Sequence, residues 1–177
     1  TLAAIFFFFA VQSGIWTYIE RIGDAAGISA ETIGSALAAG AFAGLIGALA
    51  AAGFANKFGR AIPLTLTAVF QAVAIALMLN HPQIAVFFVA SALFQFFWNF
   101  GIPYQMGVMS RADPAGSYIV LVTAVTGIGF TVGPLLGAAM IELGGTNGLL
   151  LAEAVLCAVS LALIMPVALS AKTLDQT

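Results

Sequence analysis

The stretch GFANKFGRAIPL, Gly53–Leu64, decides the fold, because it sets charges and turn residues between two long apolar runs. Lys57 and Arg60 lie close together in it, and the glycines around them permit a tight turn. The apolar runs on either side cover residues 32–54 and 62–79, and about 20 helical residues are enough to cross ~30 Å of hydrocarbon. The stretch is therefore predicted to be a short polar loop that joins two membrane-spanning helices.

The composition of the whole chain indicates a lipid environment. Of 177 residues, 62% are hydrophobic and only 7% are charged, and the mean hydropathy is +1.12. A soluble globular domain carries roughly 25% charged residues, and a disordered chain needs low hydrophobicity with high charge density. The formal net charge of -2 is too small to suggest a nucleic acid partner, and the single cysteine, Cys157, excludes an internal disulfide.

Six segments are apolar and long enough to span a bilayer as helices, in which the backbone groups bond within the segment. The fourth segment would be ~39 Å long at 1.5 Å per residue, and we predict that it breaks or bends near Gly101 and Pro103. The predicted fold is an all-α integral membrane protein, with one six-helix transmembrane domain over residues 1–177. The predicted helices cover residues 2–20, 32–54, 62–79, 84–109, 118–141 and 149–169.

The positive charges indicate how the chain is oriented in the membrane. Four of the five Lys and Arg residues follow the second, fourth and sixth predicted helices. The positive-inside rule places these connections in the cytoplasm, and with them both ends of the chain. The chain begins inside an apolar run without an initiator methionine, so we expect it to be part of a longer protein. The opposite connections carry a net acidic set, namely Glu20, Arg21, Asp24, Glu31 and Glu142.

The loop after the second helix resembles a known signature. Gly53, Asn56, Lys57, Gly59 and Arg60 are similar to the loop motif that follows the second helix in each six-helix half of major facilitator superfamily transporters. In such a loop, glycine permits the turn, and cations can bind helix C-terminal carbonyls or a carboxylate on a neighbouring helix. The sequence departs from the family at Asn56, where Asp is expected, and at Lys57, where Arg is usual, which weakens the conformational lock. An ordinary positive-inside loop is the alternative.

The fifth helix carries a second resemblance, in GIGFTVGPLLGAAM at residues 127–140. Three glycines recur there every four residues with a proline beside the middle one, as in the G-x-x-x-G-P-x-x-G-G motif of the family's fifth helix. Small residues let helix backbones approach closely in lipid. In the family fold, the second and fifth helices of one half pack against those of the other half, and packing within one bundle is the alternative. The implied contacts between halves are Gly40, Gly44, Gly129, Gly133, Pro134 and Gly137.

The resemblance covers essentially the whole chain and implies half of a transporter, because the family's substrate path runs between two pseudo-symmetric halves. The weakened loop motif, the start without a leader and the short polar tail at 171–177 favour the C-terminal half, helices seven to twelve of twelve. The implied partners are the lipid bilayer, a missing N-terminal half and a small organic solute, which moves by alternating access. A bacterial inner membrane and proton-coupled efflux are further expectations.

In this family, the first and fourth helices of each half line the central cavity, so the resemblance implies that polar and indole groups there contact the substrate. Gln12 lies near the bilayer midplane and shares a helix face with Trp16. Such groups bind neutral or amphipathic solutes by hydrogen bonding and stacking, whereas the alternative role is to bond neighbouring helices. The cavity candidates are Gln12, Ser13, Trp16, Gln95, Trp98 and Asn99.

Ionisable residues bear on proton coupling and gating. Glu20 lies at the outer end of the first helix beside Arg21, so the pair is a candidate proton carrier or outer gate, and a water-facing carboxylate is the alternative. Glu153 lies inside the sixth helix, where a charge must snorkel or pair. We expect any main coupling carboxylate to lie in the missing half.

Two other functions compete with a half transporter. A self-contained six-helix protein would dimerise through its second and fifth helices to form a complete transporter or a pore. A membrane-embedded enzyme would need a constellation of reactive side chains inside helices, which one histidine in a predicted loop, His81, and one cysteine do not supply. We therefore expect no enzyme activity, no metal site and no cofactor.

Overall fold

The protein is all helical in the part that the computed structural model describes, residues 1–55, 57–113 and 115–174, and this part contains no strand. Each of its five helical segments is long and apolar enough to cross a membrane, which agrees with the predicted all-α membrane fold. The segments are α1 (Leu2–Ala25), α2 (Ala30–Phe54), α3 (Ala61–Met78), α4 (Ile84–Ala112) and α5 (Ile119–Leu174).

The fifth segment, α5, is not one straight helix. Its 56 residues contain two with non-helical backbone angles, Gly144 at φ -145° and ψ 18° and Gly145 at φ 64° and ψ -161°. A straight helix of that length would measure ~84 Å at 1.5 Å per residue, more than twice the hydrocarbon thickness. The two glycines divide α5 into a first arm, residues 119–143, and a second arm, residues 146–174.

The two arms of α5 run along α1 in opposite directions. In the first arm, Gly129 contacts Phe6 and Gly137 contacts Tyr18, so this arm follows the direction of α1. In the second arm, the Ser160 hydroxyl donates to the carbonyl of Ala4 at 2.8 Å. Glu153, earlier in the same arm, lies instead beside Gly14, further along α1. The chain therefore reverses at the glycine pair, where the positive φ of Gly145 is the kind of backbone that glycine adopts without strain.

The predicted break in the fourth helix is absent, because α4 continues as a helix through Pro103 to Ala112. Pro103 removes one backbone donor, but α4 is held against neighbouring helices on both sides of it. Before the proline, the backbone carbonyl of Phe96 packs against Gly47 of α2. After it, the Tyr104 hydroxyl donates to the carbonyl of Ala51 at 3.3 Å. Packing along its length therefore supports one continuous helix.

The packing pairs α1 with both arms of α5, and α4 with α2 and α3. The second arm of α5 also meets α3, where the Cys157 thiol lies 3.8 Å from the carbonyl of Ala68. A hydrophobic core fills the space between these helices and excludes water from their inner faces. Its fully buried members include Ile15, Ile75, Phe87, Phe94 and Leu149.

The helix ends differ from the predicted bounds where polar residues join the helices. α1 continues to Ala25, so Arg21 and Asp24 lie on a helix rather than in a connection. α2 begins at Ala30 after Ser29, whose hydroxyl accepts a bond from the Thr32 backbone N–H at 3.3 Å. This N-cap satisfies one of the free donors in the first turn.

A buried carboxylate binds the backbone N–H groups at the start of α5. Asp113, just after α4, is 7% exposed, and its carboxylate accepts bonds from the backbone N–H groups of Ser117, Tyr118 and Ile119. These donors have no partner within the helix, and a negative charge is favourable at a helix N-terminus. The backbone of residues 117–119, where α5 begins, is thereby held by one side chain.

Candidate functional site

Two tryptophans from different helices meet at the junction of α1, α4 and α5. Trp16 of α1 and Trp98 of α4 are both half-buried, with ring centroids 6.3 Å apart and planes at 70°, an edge-to-face arrangement. Phe130 of the first arm lies 6.3 Å from the Trp98 ring and is 40% exposed. We call Trp16, Trp98 and Phe130 the aromatic wall. It offers flat apolar surfaces, with two indole N–H groups as donors.

The polar candidates of α4 lie on a different side of that helix from Trp98. Asn99 is half-buried against α2, and its amide N–H donates to the backbone carbonyl of Gln95 at 3.0 Å. Gly44 of α2 makes room for it, because a Cβ at that position would lie 2.6 Å from Asn99 Nδ2. Gln95 packs in the same way beside Gly40. The structure therefore joins Gln95 and Asn99 to each other and to α2, next to the aromatic wall but not within it.

Gln12 and Ser13 lie inside the helix bundle, away from any open face. The Ser13 hydroxyl is within bonding distance of the carbonyls of Ala10, at 3.1 Å, and Gly129, at 3.3 Å, so it ties α1 to the first arm. Gln12 is 0% exposed and faces a small internal cavity shared with α3, α4 and the second arm. Both side chains are buried within this half, and their contact with a substrate stays a prediction. Ser13 does form a bond between neighbouring helices, which was the alternative role for these polar residues.

The glycine stripes contact helices of the same chain, and a contact with another half stays a prediction. On α2, Gly40 and Gly44 meet α4. On the first arm of α5, Gly129 and Gly133 meet α1, and a Cβ at Gly133 would lie 2.2 Å from the carbonyl oxygen of Ala10. The small residues let these backbones of the same chain approach closely, as in packing within one bundle.

The other residues of the predicted inter-half set follow the same pattern. Gly137 contacts Tyr18, and the Tyr18 hydroxyl donates to the carbonyl of Pro134 at 3.0 Å. The outward faces of α2 and α5 instead carry large apolar side chains, among them Phe42, Leu45, Leu49, Ile128 and Leu135.

The loop after α2 presses its arginine against α4. Gly59 has a φ of 68°, as the turn requires, and Gly53 and Lys57 are exposed, whereas Asn56 lies outside the described residues. Arg60 extends to Gly107 of α4, where a Cβ would lie 2.8 Å from Arg60 Nε. This contact borders a cavity of about 130 Å³ that Tyr104 and Pro103 also line.

The gate candidates Glu20 and Arg21 lie on an open groove at the far end of α1. Asp24 and the start of α2 complete this groove, whose volume is about 370 Å³. Both side chains are exposed. The groove is therefore open to polar solutes, with two carboxylates and one guanidinium at its edge.

A second carboxyl group is buried inside the bundle. Glu153 is 1% exposed, and its carboxyl lies against Gly14 of α1. It does not snorkel toward the membrane surface as a lone charged residue in lipid does. No group of three His, Cys, Asp or Glu side chains in residues 1–55, 57–113 and 115–174 comes together to hold a metal ion.

Several residues at these sites carry no signal in the sequence alone. Phe130 is one phenylalanine among 15, and nothing in its neighbours indicates the approach to Trp98. Gln71 and Thr67 of α3, which face the internal cavity beside Gln12, belong to no motif. The only available signal is that a buried amide in an apolar helix needs a partner.

Comparison with known proteins bears on the whole chain. A family model described as Major Facilitator Superfamily matches residues 1–174. No curated protein and no solved structure matches the chain.

Proposed function

This chain belongs to the major facilitator superfamily, a family of membrane transporters, and from this premise we propose that it is the C-terminal half of a secondary transporter. It would move a small organic solute by rocking against an N-terminal half of six helices. The observation that carries the proposal is the family match over residues 1–174, which are about half of what two six-helix halves require.

The direction of each segment supports six crossings with both ends in the cytoplasm. The two arms of α5 are each long enough to span ~30 Å, and they run in opposite directions along α1. The amide of Asn147, just after the reversal, donates to the side-chain oxygen of Asn80 at 3.0 Å, so the loop after α3 and the glycine pair lie at the same end. Lys57 and Arg60 belong to the connection that follows α2, and Arg111 lies in the last turn of α4. Cations at this end suit the cytoplasmic face.

The aromatic wall is the surface of this half that suits a solute best. It brings together α1 and α4, the helices that carry the cavity in this family, and it combines ring faces with indole donors. Asn99, half-buried beside it, adds an amide. We assign the solute to neutral or amphipathic molecules with aromatic or apolar parts, because no charged side chain belongs to the wall.

We assign gating at the membrane face opposite the cytoplasm to the groove of Glu20 and Arg21. Both side chains are exposed there, so they are free to change partners when two halves close. Proton-coupled efflux in a bacterial inner membrane remains part of the proposal. A Glu20→Gln variant is expected to lower transport if the carboxylate pairs during closure, whereas the alternative, a water-facing carboxylate, predicts no change.

A pairing experiment tests whether the chain is a half. Single cysteines are placed in a Cys157→Ser background at Leu45 of α2 and Leu135 of α5, which are 57% and 65% exposed. We expect no crosslink when the chain is expressed alone in membranes, and a crosslink when a six-helix upstream segment is co-expressed. Val69→Cys on α3 is the control, because this residue is 49% exposed but belongs to neither face. A self-crosslinked dimer through Leu45 and Leu135, without the control, would support the self-contained homodimer instead.

Tryptophan fluorescence tests the assignment of the wall. The chain has only two tryptophans, and both belong to the wall, so its emission reports on this surface alone. In the chain alone, a brominated lipid is expected to quench both indoles. Pairing with an upstream half whose own tryptophans are replaced by phenylalanine should reduce that quenching and increase quenching by water-soluble acrylamide. Unchanged quenching by the brominated lipid would place the wall against lipid and remove it from the substrate path.

A further inference from the structure

A small cavity lies inside the bundle, where α1, α3, α4 and the second arm of α5 converge. Glutamines from three of these helices line it: Gln12 of α1, Gln71 of α3 and Gln105 of α4. They are 0%, 1% and 3% exposed, so none of them reaches lipid or bulk water. The space open to the centre of a water-sized sphere is about 10 Å³. That is close to the lower limit for one water molecule.

Some of the polar groups that line this cavity have hydrogen-bond partners and others do not. The Thr67 and Ser160 hydroxyls at its edge donate to the carbonyls of Pro63 and Ala4, at 2.9 and 2.8 Å. The glutamines are different. Among the described residues, Gln12 Nε2 and Oε1, Gln71 Nε2 and Gln105 Oε1 are buried without a hydrogen-bond partner. Buried polar groups in native structures are generally bonded to protein or to ordered water.

We propose that the cavity between Gln12, Gln71 and Gln105 binds one water molecule that bridges α1, α3 and α4. The unpaired atoms suit water, which donates two bonds and accepts two. The carbonyl oxygen of Gln105 accepts from the water, the Gln71 amide donates to it, and the Gln12 amide supplies a third bond. Three bonds is the usual number for a buried water molecule.

The chemistry of the cavity favours water over other occupants. No charged side chain is among the residues that line it, and Glu153 turns its carboxyl toward Gly14 instead. A metal cation would need anionic ligands to offset its desolvation. The volume excludes an organic solute. A dry cavity is one whose lining is apolar throughout, whereas this lining includes unpaired amide atoms of three glutamines.

The bridge has a consequence for the aromatic wall. Gln12 lies one helical turn from Trp16, and Gln105 lies two turns from Trp98, so the water links the helices that carry the two indoles. α1 and α4 make few direct contacts with each other. The water therefore holds the relative position of these two helices from inside the bundle.

Radiolytic hydroxyl labelling of the purified chain in lipid nanodiscs tests the proposal, because a bound water yields radicals beside a side chain that bulk water cannot reach. Phe8 lines the cavity and is 4% exposed, whereas Phe100 and Phe9, at 2% and 6%, do not line it and serve as matched controls. We expect Phe8 to be oxidised several-fold faster than either control, because only Phe8 lies beside the bound water. Equal rates for the three phenylalanines would overturn the proposal.

A variant and an ion exchange sharpen the test. Gln71→Met keeps a similar volume but removes the amide donor, and it is expected to reduce labelling of Phe8 to the level of the controls. Full labelling of Phe8 in a folded Gln71→Met chain would contradict the bridging role. If this variant does not fold, the comparison of phenylalanines in the unchanged chain still decides.

Replacing sodium with choline should leave the labelling of Phe8 and the melting temperature unchanged. A sodium-dependent shift of either quantity would assign the cavity to a cation instead.

Discussion

Replacing Gly133 with alanine should loosen the contact between α1 and the first arm of α5. The new Cβ would lie 2.2 Å from the carbonyl oxygen of Ala10 and 2.3 Å from Ser13 Oγ, whereas real Cβ contacts essentially never fall under 3.0 Å. Because the first of these atoms belongs to the backbone, a side-chain rotation alone cannot relieve the clash. The two helices must separate by about 1 Å, and Ser13 then loses its bond to Gly129.

The expected cost follows from these two effects. Overpacking a close contact costs roughly 1–3 kcal/mol, and a hydrogen bond between membrane helices contributes about 0.6 kcal/mol on average. For a protein of this size, each kcal/mol corresponds to a shift of about 2–4 °C, so the melting temperature should fall by roughly 5–10 °C. Thermal unfolding followed by circular dichroism in one detergent measures it.

Gly127→Ala is the matched control on the same arm. A Cβ there meets nothing within 4 Å, so this substitution gives only the gain in helix propensity, up to about 1 kcal/mol. Both substitutions share that gain, and the difference between them isolates the contact with α1. Equal melting temperatures for the two variants would show that the close approach of α1 and α5 does not exist in the folded protein.

Three further predictions concern the α2–α4–α5 end of the bundle. Asp113→Ala removes the acceptor for three backbone N–H groups, so we expect a loss of about 1–2 kcal/mol and faster amide hydrogen exchange at the start of α5, and unchanged exchange there would contradict the cap. Gly107→Leu should displace Arg60 and increase trypsin cleavage after it several-fold, whereas unchanged cleavage would mean that the arginine does not lie against α4. Tyr104→Phe deletes only the bond to the Ala51 carbonyl, so a stability loss above about 2 kcal/mol would show that this hydroxyl has another role.

Hydropathy alone predicts the helical, membrane-spanning character of the chain, because lipid requires long apolar helices and the sequence shows them directly. The sequence predicts less well where a helix continues and where it is interrupted. Pro103 is a helix-breaking signal in isolation, yet packing against α2 on both sides keeps α4 continuous. At Gly144 and Gly145 the opposite happens, because the helix is interrupted and the chain changes direction there.

The candidate site shows where a local pattern stops being informative. The stripe of Gly129 and Gly133 predicts that some backbone approaches closely, and it does, but spacing carries no information about which helix approaches. Gln12 and Trp16 share a helix face, yet α1 meets different neighbours at these two heights, so one side chain enters the interior and the other meets α4. The partner Gln71 comes from a helix about 60 residues further along the chain, and only the tertiary structure brings it to the cavity.

The glycine seams of this bundle also determine how it can deform. Where Gly47 meets the Phe96 carbonyl and Gly133 meets the Ala10 carbonyl, backbone lies on backbone, with no side chains between that could change rotamer. We therefore expect these backbone contacts to deform little, so that α2 moves together with α4, and α1 together with α5. A displacement at Arg60 would then reach the other end of α2, where Ala30 and Ile33 line the groove of Glu20 and Arg21.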